Sequence, residues 1–265
     1  MLLPRILTAI VGIPLMIWLI YAGGLAFSGL IFAIIVLSLY EYSTLMRLGS
    51  KPLDRPALYI FGILLPIVLY FDYMPNVASD HFAGAMISLA VIGTFCIELF
   101  HKEKYIERMG LTLLGIFMIS WCLFMFIPLR TLPHGMELTF LLIITVWVMD
   151  TAAYFFGKKF GKNQLTAVSP KKTWEGAIAG FVFAIGTAML IAKFTHGNIS
   201  YGRAAALGVI IGIFGQMSDI AESMIKRAVG AKDSSNLLPG HGGIMDRFDS
   251  YIFLAPVVYY FMAIF

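Results

Sequence analysis

Long apolar stretches alternate with short polar segments along the chain. Each stretch is close to the ~20 residues that an α-helix needs to cross the hydrocarbon core of a bilayer. The stretches lie at about 6–22, 25–45, 57–74, 82–100, 110–129, 138–157, 174–195, 203–222 and 250–265. This pattern predicts an all-α fold, a polytopic integral membrane helical bundle of about nine transmembrane helices. We expect residues 1–265 to form a single transmembrane domain.

The composition supports this prediction, and the distribution of charge indicates which side of the membrane each loop faces. Hydrophobic residues make up 60% of the 265 residues, and the mean hydropathy of +0.87 excludes an ordinary soluble protein. Loops rich in Lys and Arg stay on the cytoplasmic side of a membrane. Sixteen of the 19 Lys and Arg residues fall on the side that carries residues 219–249. We therefore expect a multi-pass protein of the cell inner (plasma) membrane, with this charged segment facing the cytoplasm.

The segment 219–249 is the most strongly charged part of the chain. Its 31 residues hold five carboxylates, five cationic side chains including a histidine, and four glycines. A helix through residues 210–228 would place four polar residues on one face, at i, i+3, i+4 and i+7. These residues are Asp219, Glu222, Ser223 and Lys226. The spacing predicts a stripe in which carboxylates and an ammonium group lie side by side.

A glycine-rich loop follows this predicted helix. Residues 230–243 have the glycine and proline content of an irregular loop, and small residues let backbone N–H groups approach phosphate oxygens closely. Asp246 and Asp249 come directly after the loop. Mg²⁺ binds through one or two carboxylates and takes substrate phosphates as further ligands. Carboxylates beside cations and a glycine-rich loop therefore indicate a divalent metal that bridges phosphates.

Asp150 is an acidic residue inside an apolar stretch. It lies ~12 Å of helix before Lys158, and Asp219 lies ~10 Å before Lys226, so the two carboxylates are expected at similar depth and could share one polar cavity. An intramembrane acid is costly and indicates a functional site, with a structural acid paired to another helix as the alternative. For Glu41, near a predicted cytoplasmic helix end, pairing or snorkelling is the ordinary explanation.

The loop at 157–176 carries five lysines. One interpretation is a polybasic patch that lies against anionic lipid head groups. The other concerns its second half, where Pro170 stops any helix and Thr173 can cap the next one. Lys171 and Lys172 would then lie near a positively polarised helix N-terminus, which suits phosphate binding. Both interpretations stay open at this point.

Two blocks of sequence resemble the phosphatidate cytidylyltransferases, also called CDP-diacylglycerol synthases. The first runs from Ser223 to Asp249 with the pattern S-x2-KR-x4-KD-x3-L-x-PGHGG-x2-DR-x-D, and the second is SPKKTWEG at 169–176. Asp150 with the following Ala153-Tyr154 is similar to the family's preceding helix. The resemblance implies an Mg²⁺-dependent membrane enzyme of phospholipid biosynthesis. Such an enzyme joins CTP to phosphatidic acid and releases pyrophosphate.

Residues 138–265 are expected to carry the active site. The residues expected to act in catalysis are Asp150, Asp219, Lys226 and Asp246, of which Asp219 and Asp246 would bind Mg²⁺. Asp150 is a further candidate ligand of that metal, and a second cation is an alternative to a single Mg²⁺. The residues expected to bind substrate are Ser169, Lys171, Lys172, Ser223, Arg227, Lys232, His241, Gly242, Gly243, Arg247 and Asp249. For His241 a plain turn residue is an equally good interpretation.

The expected partners are CTP, phosphatidic acid and the lipid bilayer, without nucleic acid. The spacings Gly176-x3-Gly180 and Gly208-x3-Gly212 permit close helix packing, either within the bundle or across a homodimer. Two other functions are weighed. A CTP-dependent kinase of a polyprenol-type lipid would use the same kinds of groups but transfer the terminal phosphoryl group. A cation-coupled transporter would also bury acids at mid-depth, but the chain shows no matched halves with broken helices.

Overall fold

The computed structural model describes the backbone of residues 3–73, 82–195, 197–238, 240 and 242–265, and side chains from residue 10 onward. These residues form nine helices, and the regular β-structure among them is limited to two isolated bridges. The helices are α1 Leu3–Ala22, α2 Gly24–Leu48, α3 Arg55–Asp72, α4 Phe82–Phe100, α5 Ile106–Thr131, α6 Gly135–Phe160, α7 Trp174–Phe194, α8 Tyr201–Ala228 and α9 Met245–Ile264. The predicted all-α fold is confirmed.

Seven of the nine helices, α2 to α8, are long and apolar enough to cross a membrane. The other two are 20 residues long; α1 is apolar over Ile10–Ala22, and α9 carries three charged residues in its first five positions. The helices α4 and α7 expose most of their apolar surface, including Ile92, Phe95 and Val182. Such surfaces are stable in lipid but not in water. The protein is therefore a multi-pass membrane protein.

Two helices extend beyond the predicted apolar stretches. The helix α8 continues to Ala228, past the predicted end at 222, and α9 begins at Met245 rather than at 250. The residues added at these ends are polar, and hydropathy alone does not identify them as helical. They are stabilised by contacts with each other instead of by lipid, as the ion pair between Lys226 and Asp246 shows.

Small residues bring α6 and α7 close together. A Cβ atom on Gly176 would lie 2.6 Å from the carbonyl oxygen of Ala153, and one on Gly180 would lie 3.1 Å from that of Met149. Gly208 of α8 makes a similar approach, where a Cβ would lie 2.5 Å from Ile185 Cα on α7. These glycines therefore serve packing within the chain, which holds α6, α7 and α8 as neighbours.

A π-helical segment, Ile211–Gly215, interrupts α8 just before the polar stripe. The wider turn changes the backbone hydrogen bonding, and the side chain of Gln216 donates to Gly212 O at 2.6 Å and to Ala177 O of α7 at 3.2 Å. Segments of this kind are frequent at functional sites. Here the segment ends four residues before Asp219 and sets the face on which that carboxylate lies.

Candidate active site

A cavity of about 1190 Å³ lies between α1, α2, α6, α8, α9 and the loop that joins α6 to α7. One part of its wall is apolar and comes from α1 and α2. This part includes Leu15, Ile20, Phe27, Ile31 and Ile34. The other part is charged and includes Asp150, Lys172, Asp219, Arg247 and Asp249. The predicted convergence of Asp150 and Asp219 on one cavity is thus confirmed.

The cavity wall reaches two surfaces of the protein. Ile13 and Leu15 of the apolar helix α1 line the cavity and are 41% and 49% exposed, so its apolar end is open and not enclosed by protein. Lys158, Lys171 and Arg247 line the cavity and are also exposed, so its charged end meets polar surroundings. One continuous wall therefore connects an apolar environment with a strongly charged one.

Lys226 joins α8 to α9 through two carboxylates. Its Nζ atom lies 2.6 Å from Glu222 Oε2 on the same helix and 2.6 Å from Asp246 Oδ1 in the first turn of α9. All three residues are buried. A buried charge is stable when it is paired and hydrogen-bonded. Lys226 and Asp246 meet both conditions, whereas Glu222 is paired with Lys226 but makes no hydrogen bond to the described residues. Lys226 therefore holds the carboxylate of Asp246 in position.

Asp246 is held by several donors at once. Its Oδ2 atom accepts hydrogen bonds from Ser234 N and Gly243 N, both at 2.8 Å, and shares the single hydroxyl hydrogen of Ser234 with Glu41 Oε2, while Oδ1 accepts from Lys226. We call Ser234, Gly243 and Lys226 the Asp246 cradle. An ionised carboxylate has about four acceptor positions, two on each oxygen. The Oδ1 atom therefore keeps one position for a further ligand, and Asp246 lines the cavity.

Asp219 has fewer partners. Its Oδ2 atom lies 2.5 Å from Nζ of Lys172, and Ser223 Oγ is a distant donor to Oδ1 at 3.5 Å. The side chains of Asp219 and Lys172 are 28% and 26% exposed. This ion pair connects the predicted phosphate-binding block at 169–176 with the stripe on α8. The Nζ atom of Lys172 is itself buried and makes no hydrogen bond to the described residues, so its attachment to Asp219 is by charge. A carboxylate held by one such ion pair can exchange that partner for a cation.

The segment before α7 is held in a fixed shape. Thr173 Oγ1 accepts from Gly176 N at 3.2 Å, which confirms the predicted helix cap. Leu165 N donates to Lys172 O at 2.8 Å, and Asn163 Nδ2 donates to Glu175 at 2.8 Å. These contacts place Ser169, Lys171 and Lys172 in the wall of the cavity.

The glycines that end the loop fit closely around the Asp246 cradle. Gly242 has φ +80°, and a Cβ on it would lie 2.8 Å from Asp246 Oδ2. A Cβ on Gly243 would lie 1.9 Å from Ser234 Oγ. A side chain at either position would displace the carboxylate or its donors. The backbone N–H of Gly243 is used by Asp246, so these glycines shape the site from behind the cavity wall.

Other predicted substrate-binding residues lie away from the cavity wall. Arg227 donates from Nη1 to Ala231 O at 2.7 Å, where it closes the C-terminal end of α8. Lys232 is exposed in the loop, and Ser223 is buried on α8. His241 lies outside the described residues. The substrate contacts of these four residues stay predictions.

Glu41 is a residue of the site that the sequence pattern does not single out. It lies on α2, is 0% exposed, and contacts the middle of the loop between α8 and α9 and the start of α9. It sits inside an apolar stretch, and that intramembrane position is the signal that could have marked it, as it marked Asp150. Gln216, which also lines the cavity, lies inside the apolar stretch at 203–222, and its polar side chain there is the signal that could have marked it.

The donor set suits Mg²⁺. Among the described residues, groups of three or more His, Cys, Asp or Glu side chains in a metal-binding arrangement do not occur. Mg²⁺ does not need such a group, because it uses one or two carboxylates together with water and substrate phosphates. Asp219 and Asp246 line the same cavity, and each has an acceptor position that the described contacts leave available. These two residues therefore fit the predicted metal site.

Comparison with known proteins covers nearly the whole chain. The sequence profile of the cytidylyltransferase family matches residues 3–265. The phosphatidate cytidylyltransferase of Bacillus subtilis (strain 168) is 32% identical over 265 residues, 98% of this chain and 97% of that protein. Those of Synechocystis sp. and Brucella suis biovar 1 are both 33% identical, over 98% of this chain and 96% and 93% of their own lengths. This chain belongs to the cytidylyltransferase family.

Proposed function

We propose that this protein transfers the cytidylyl group of CTP to phosphatidic acid, giving CDP-diacylglycerol and pyrophosphate. The observation that carries the proposal is the single cavity whose wall runs from the apolar side chains of α1 and α2 to the carboxylates and lysines of α6, α8 and α9. The names of the relatives support the choice of substrates. A lipid phosphate and a nucleotide could meet in such a cavity without the lipid leaving the bilayer.

The size of the cavity fits two substrates. Sites for one drug-sized molecule usually measure about 300–1,000 Å³, and this cavity measures about 1190 Å³. The apolar part would take the upper portion of the acyl chains, and Ile13 and Leu15 mark where those chains reach the surrounding lipid. The charged part would hold the phosphates of both substrates.

The chemistry needs positioning and charge neutralisation more than a general base. A phosphomonoester with a second pKa near ~6 is mostly dianionic at neutral pH, so its oxygen is already a nucleophile. That oxygen attacks the α-phosphorus of CTP, a new P–O bond forms, and the bond between the α- and β-phosphates breaks as pyrophosphate leaves. Lys171, Lys172 and Arg247 lie in the wall where they can neutralise the two anions.

Asp219 and Asp246 would hold Mg²⁺, and Asp150 lies in the same wall for a second cation. When bound, the metal supplies charge neutralisation on the triphosphate and on the leaving pyrophosphate. Lys172 would then lose Asp219 as its partner, and its ammonium group could bind a phosphate oxygen instead. The protein would in this way carry a positive charge at this position both before and after the substrates arrive.

Labelled CTP tests the proposed reaction. Purified protein with phosphatidic acid and Mg²⁺ should move label from the α-phosphate of CTP into the lipid fraction and release label from the γ-phosphate as pyrophosphate. Label from the γ-phosphate in lipid would overturn the proposal in favour of a lipid kinase. If wild-type and Asp219→Asn protein both fail to move label from either phosphate of CTP into lipid, both transferase reactions are excluded.

The orientation is a separate part of the proposal. The charged end of the cavity should face the cytoplasm, where CTP is found, because most cations lie on that side of the bundle. Single cysteines at Asn236 and Asn198 test this on a background without Cys96 and Cys122, since both asparagines are exposed and lie at opposite ends of helices. In intact cells an impermeant thiol reagent should label position 198 and spare position 236. The reverse pattern would contradict the orientation.

A further inference from the structure

We infer that Glu41 is a positioning residue of the active site, which fixes the loop between α8 and α9 so that the Asp246 cradle keeps its shape. The consequence for catalysis rests on the function proposed above. The contacts themselves do not depend on it. Glu41 lies on α2, in the half of the chain that contributes mainly the apolar wall of the cavity.

Both carboxylate oxygens of Glu41 accept two hydrogen bonds. Oε1 accepts from Ser235 Oγ at 2.6 Å and from Ile244 N at 2.9 Å. Oε2 accepts from Met245 N at 2.8 Å and from Ser234 Oγ at 2.9 Å, whose one hydroxyl hydrogen is shared with Asp246 Oδ2. Three full donors and this shared one therefore surround the four acceptor positions of an ionised carboxylate. A buried carboxylate satisfied in this way forms strong, charge-assisted hydrogen bonds.

The four donors come from two parts of one loop. Ser234 and Ser235 lie six and seven residues after the end of α8, whereas Ile244 and Met245 form the start of α9. Glu41 therefore ties the middle of the loop to the start of α9 from a third helix. The first N–H groups of a helix lack partners within the helix and carry a partial positive charge, so a carboxylate is well suited to cap them. This cap for α9 comes from α2.

Glu41 and Asp246 share one hydrogen-bonding frame. The consecutive N–H groups of Gly243, Ile244 and Met245 donate in turn to Asp246, Glu41 and Glu41. The hydroxyl of Ser234 lies 2.9 Å from Glu41 Oε2 and 2.9 Å from Asp246 Oδ2. A shift of either carboxylate would therefore move the donors of the other. Because Asp246 lines the cavity, the position of Glu41 is transmitted to the site.

Glutamine at position 41 is the sharpest test because it changes the hydrogen-bonding capacity with little change in shape. The amide NH₂ group must take the place of one carboxylate oxygen, where it faces the N–H of either Ile244 or Met245. A serine hydroxyl can rotate and accept, but a backbone N–H cannot. Glu41→Gln therefore places two donors against each other in either orientation and should loosen the start of α9.

The expected results combine a structural and a kinetic measurement. In the full-length protein, hydrogen–deuterium exchange of peptides covering 232–247 should rise at least ~10-fold, with peptides from α3 and α5 unchanged. Turnover should fall by ~10- to 10²-fold, as expected when a reacting group is misplaced by about an ångström. The Mg²⁺ concentration for half-maximal turnover should rise. Glu41→Asp, which keeps both oxygens on a shorter side chain, should recover part of the turnover.

A matched control lies on the same helix. Ser43 is buried on α2 and shares a hydrogen bond of 2.7 Å with Tyr59 on α3, away from the loop. Ser43→Ala should lower the thermal transition slightly but leave loop exchange, turnover and Mg²⁺ dependence at wild-type values. A general weakening of α2 would instead affect both variants alike, and that outcome would overturn the positioning role.

The remaining outcomes are also decisive. A folded Glu41→Gln protein with wild-type loop exchange, or with faster exchange but wild-type turnover, would overturn the inference. If Glu41→Gln does not fold, Ser235→Ala removes one hydroxyl donor to Glu41 and leaves both backbone contacts. Because Ser235 Oγ also accepts from Leu237 N, exchange in this variant is read over residues 242–247. Unchanged exchange there and unchanged turnover would overturn the inference as well. If the wild-type protein transfers no cytidylyl group, the proposed function fails, whereas the exchange measurement still decides whether Glu41 holds the loop.

Discussion

The carboxylates of Asp219 and Asp246 line the same cavity but are held in different ways. Asp246 is buried and accepts from a lysine, a serine hydroxyl and two backbone N–H groups. Asp219 is partly exposed and is paired with one lysine that comes from a neighbouring loop. The fold therefore fixes Asp246 before any ligand arrives, whereas Asp219 is free to change partners. The carboxylate of Asp246 thus keeps a fixed position, whereas that of Asp219 can exchange its contact.

The largest effect is expected for Asp246→Asn. The amide NH₂ would face either Lys226 or the donors of Ser234 and Gly243, so the cradle must rearrange. Stability should fall by about 3 kcal/mol, the lower end for a broken buried ion pair, because Glu222 still binds Lys226. Turnover should fall by at least ~10²-fold. A thermal transition in detergent and the labelled-CTP assay measure the two losses, and wild-type values of both would contradict the cradle.

Asp219→Asn should separate activity from stability. Both side chains of its ion pair with Lys172 are partly exposed but Lys172 Nζ is buried, so its loss should lower stability by about 1 kcal/mol, less than at Asp246. Turnover should nevertheless fall by at least ~10²-fold, with little restored by excess Mg²⁺, because the charge that develops during transfer loses its metal. The same two assays apply. Near wild-type turnover in the folded variant would show that Asp219 is not the metal ligand, and Asp150 with Asp249 would become the better pair.

The smallest effect on turnover is expected for Lys172→Ala. If Lys172 binds a phosphate once Asp219 holds a metal, its loss should raise KM for CTP or phosphatidic acid by ~10-fold, with a smaller change in kcat. Lys171→Ala is the matched neighbour, since Lys171 is exposed in the same wall, and it should raise KM less. Steady-state kinetics with each substrate varied in turn decides this. A loss confined to kcat would make Lys172 part of the chemical step.

The helices could be predicted from the sequence because they cross a bilayer. A helix in lipid needs a continuous apolar surface, so the nine stretches identified nine helices, and the polar residues inside them, such as Asp150 and Asp219, marked the cavity. The cap at Thr173 was predictable because its hydrogen bond is local in sequence. The depth of a residue in the membrane follows from its position along its own helix. The convergence of Asp150 and Asp219 could therefore be inferred from the sequence.

The contacts that organise the site were not predictable because they join distant parts of the chain. Glu41 and Ser234 are separated by 193 residues, and nothing near Glu41 in sequence indicates a glycine-rich loop as its partner. Lys226 and Arg227 are adjacent cations, yet one enters a buried triad and the other donates to Ala231 O in the loop after the helix. Which of two such neighbours turns inward depends on where α9 begins. The apolar pattern placed that point five residues too late because it detects lipid contact, not polar packing.

The cavity wall passes from the exposed Ile13 and Leu15 to the charges of α8 and α9. This arrangement affects how the reaction rate should depend on the concentration of each substrate. A lipid that enters sideways never becomes a solute in water, so its encounter with the protein takes place in two dimensions. Saturation should then follow the mole fraction of phosphatidic acid within the membrane, whereas saturation by the nucleotide follows its molarity. Diluting the lipid with an inert phospholipid at constant bulk concentration should slow the reaction, and adding more membrane of the same composition should not.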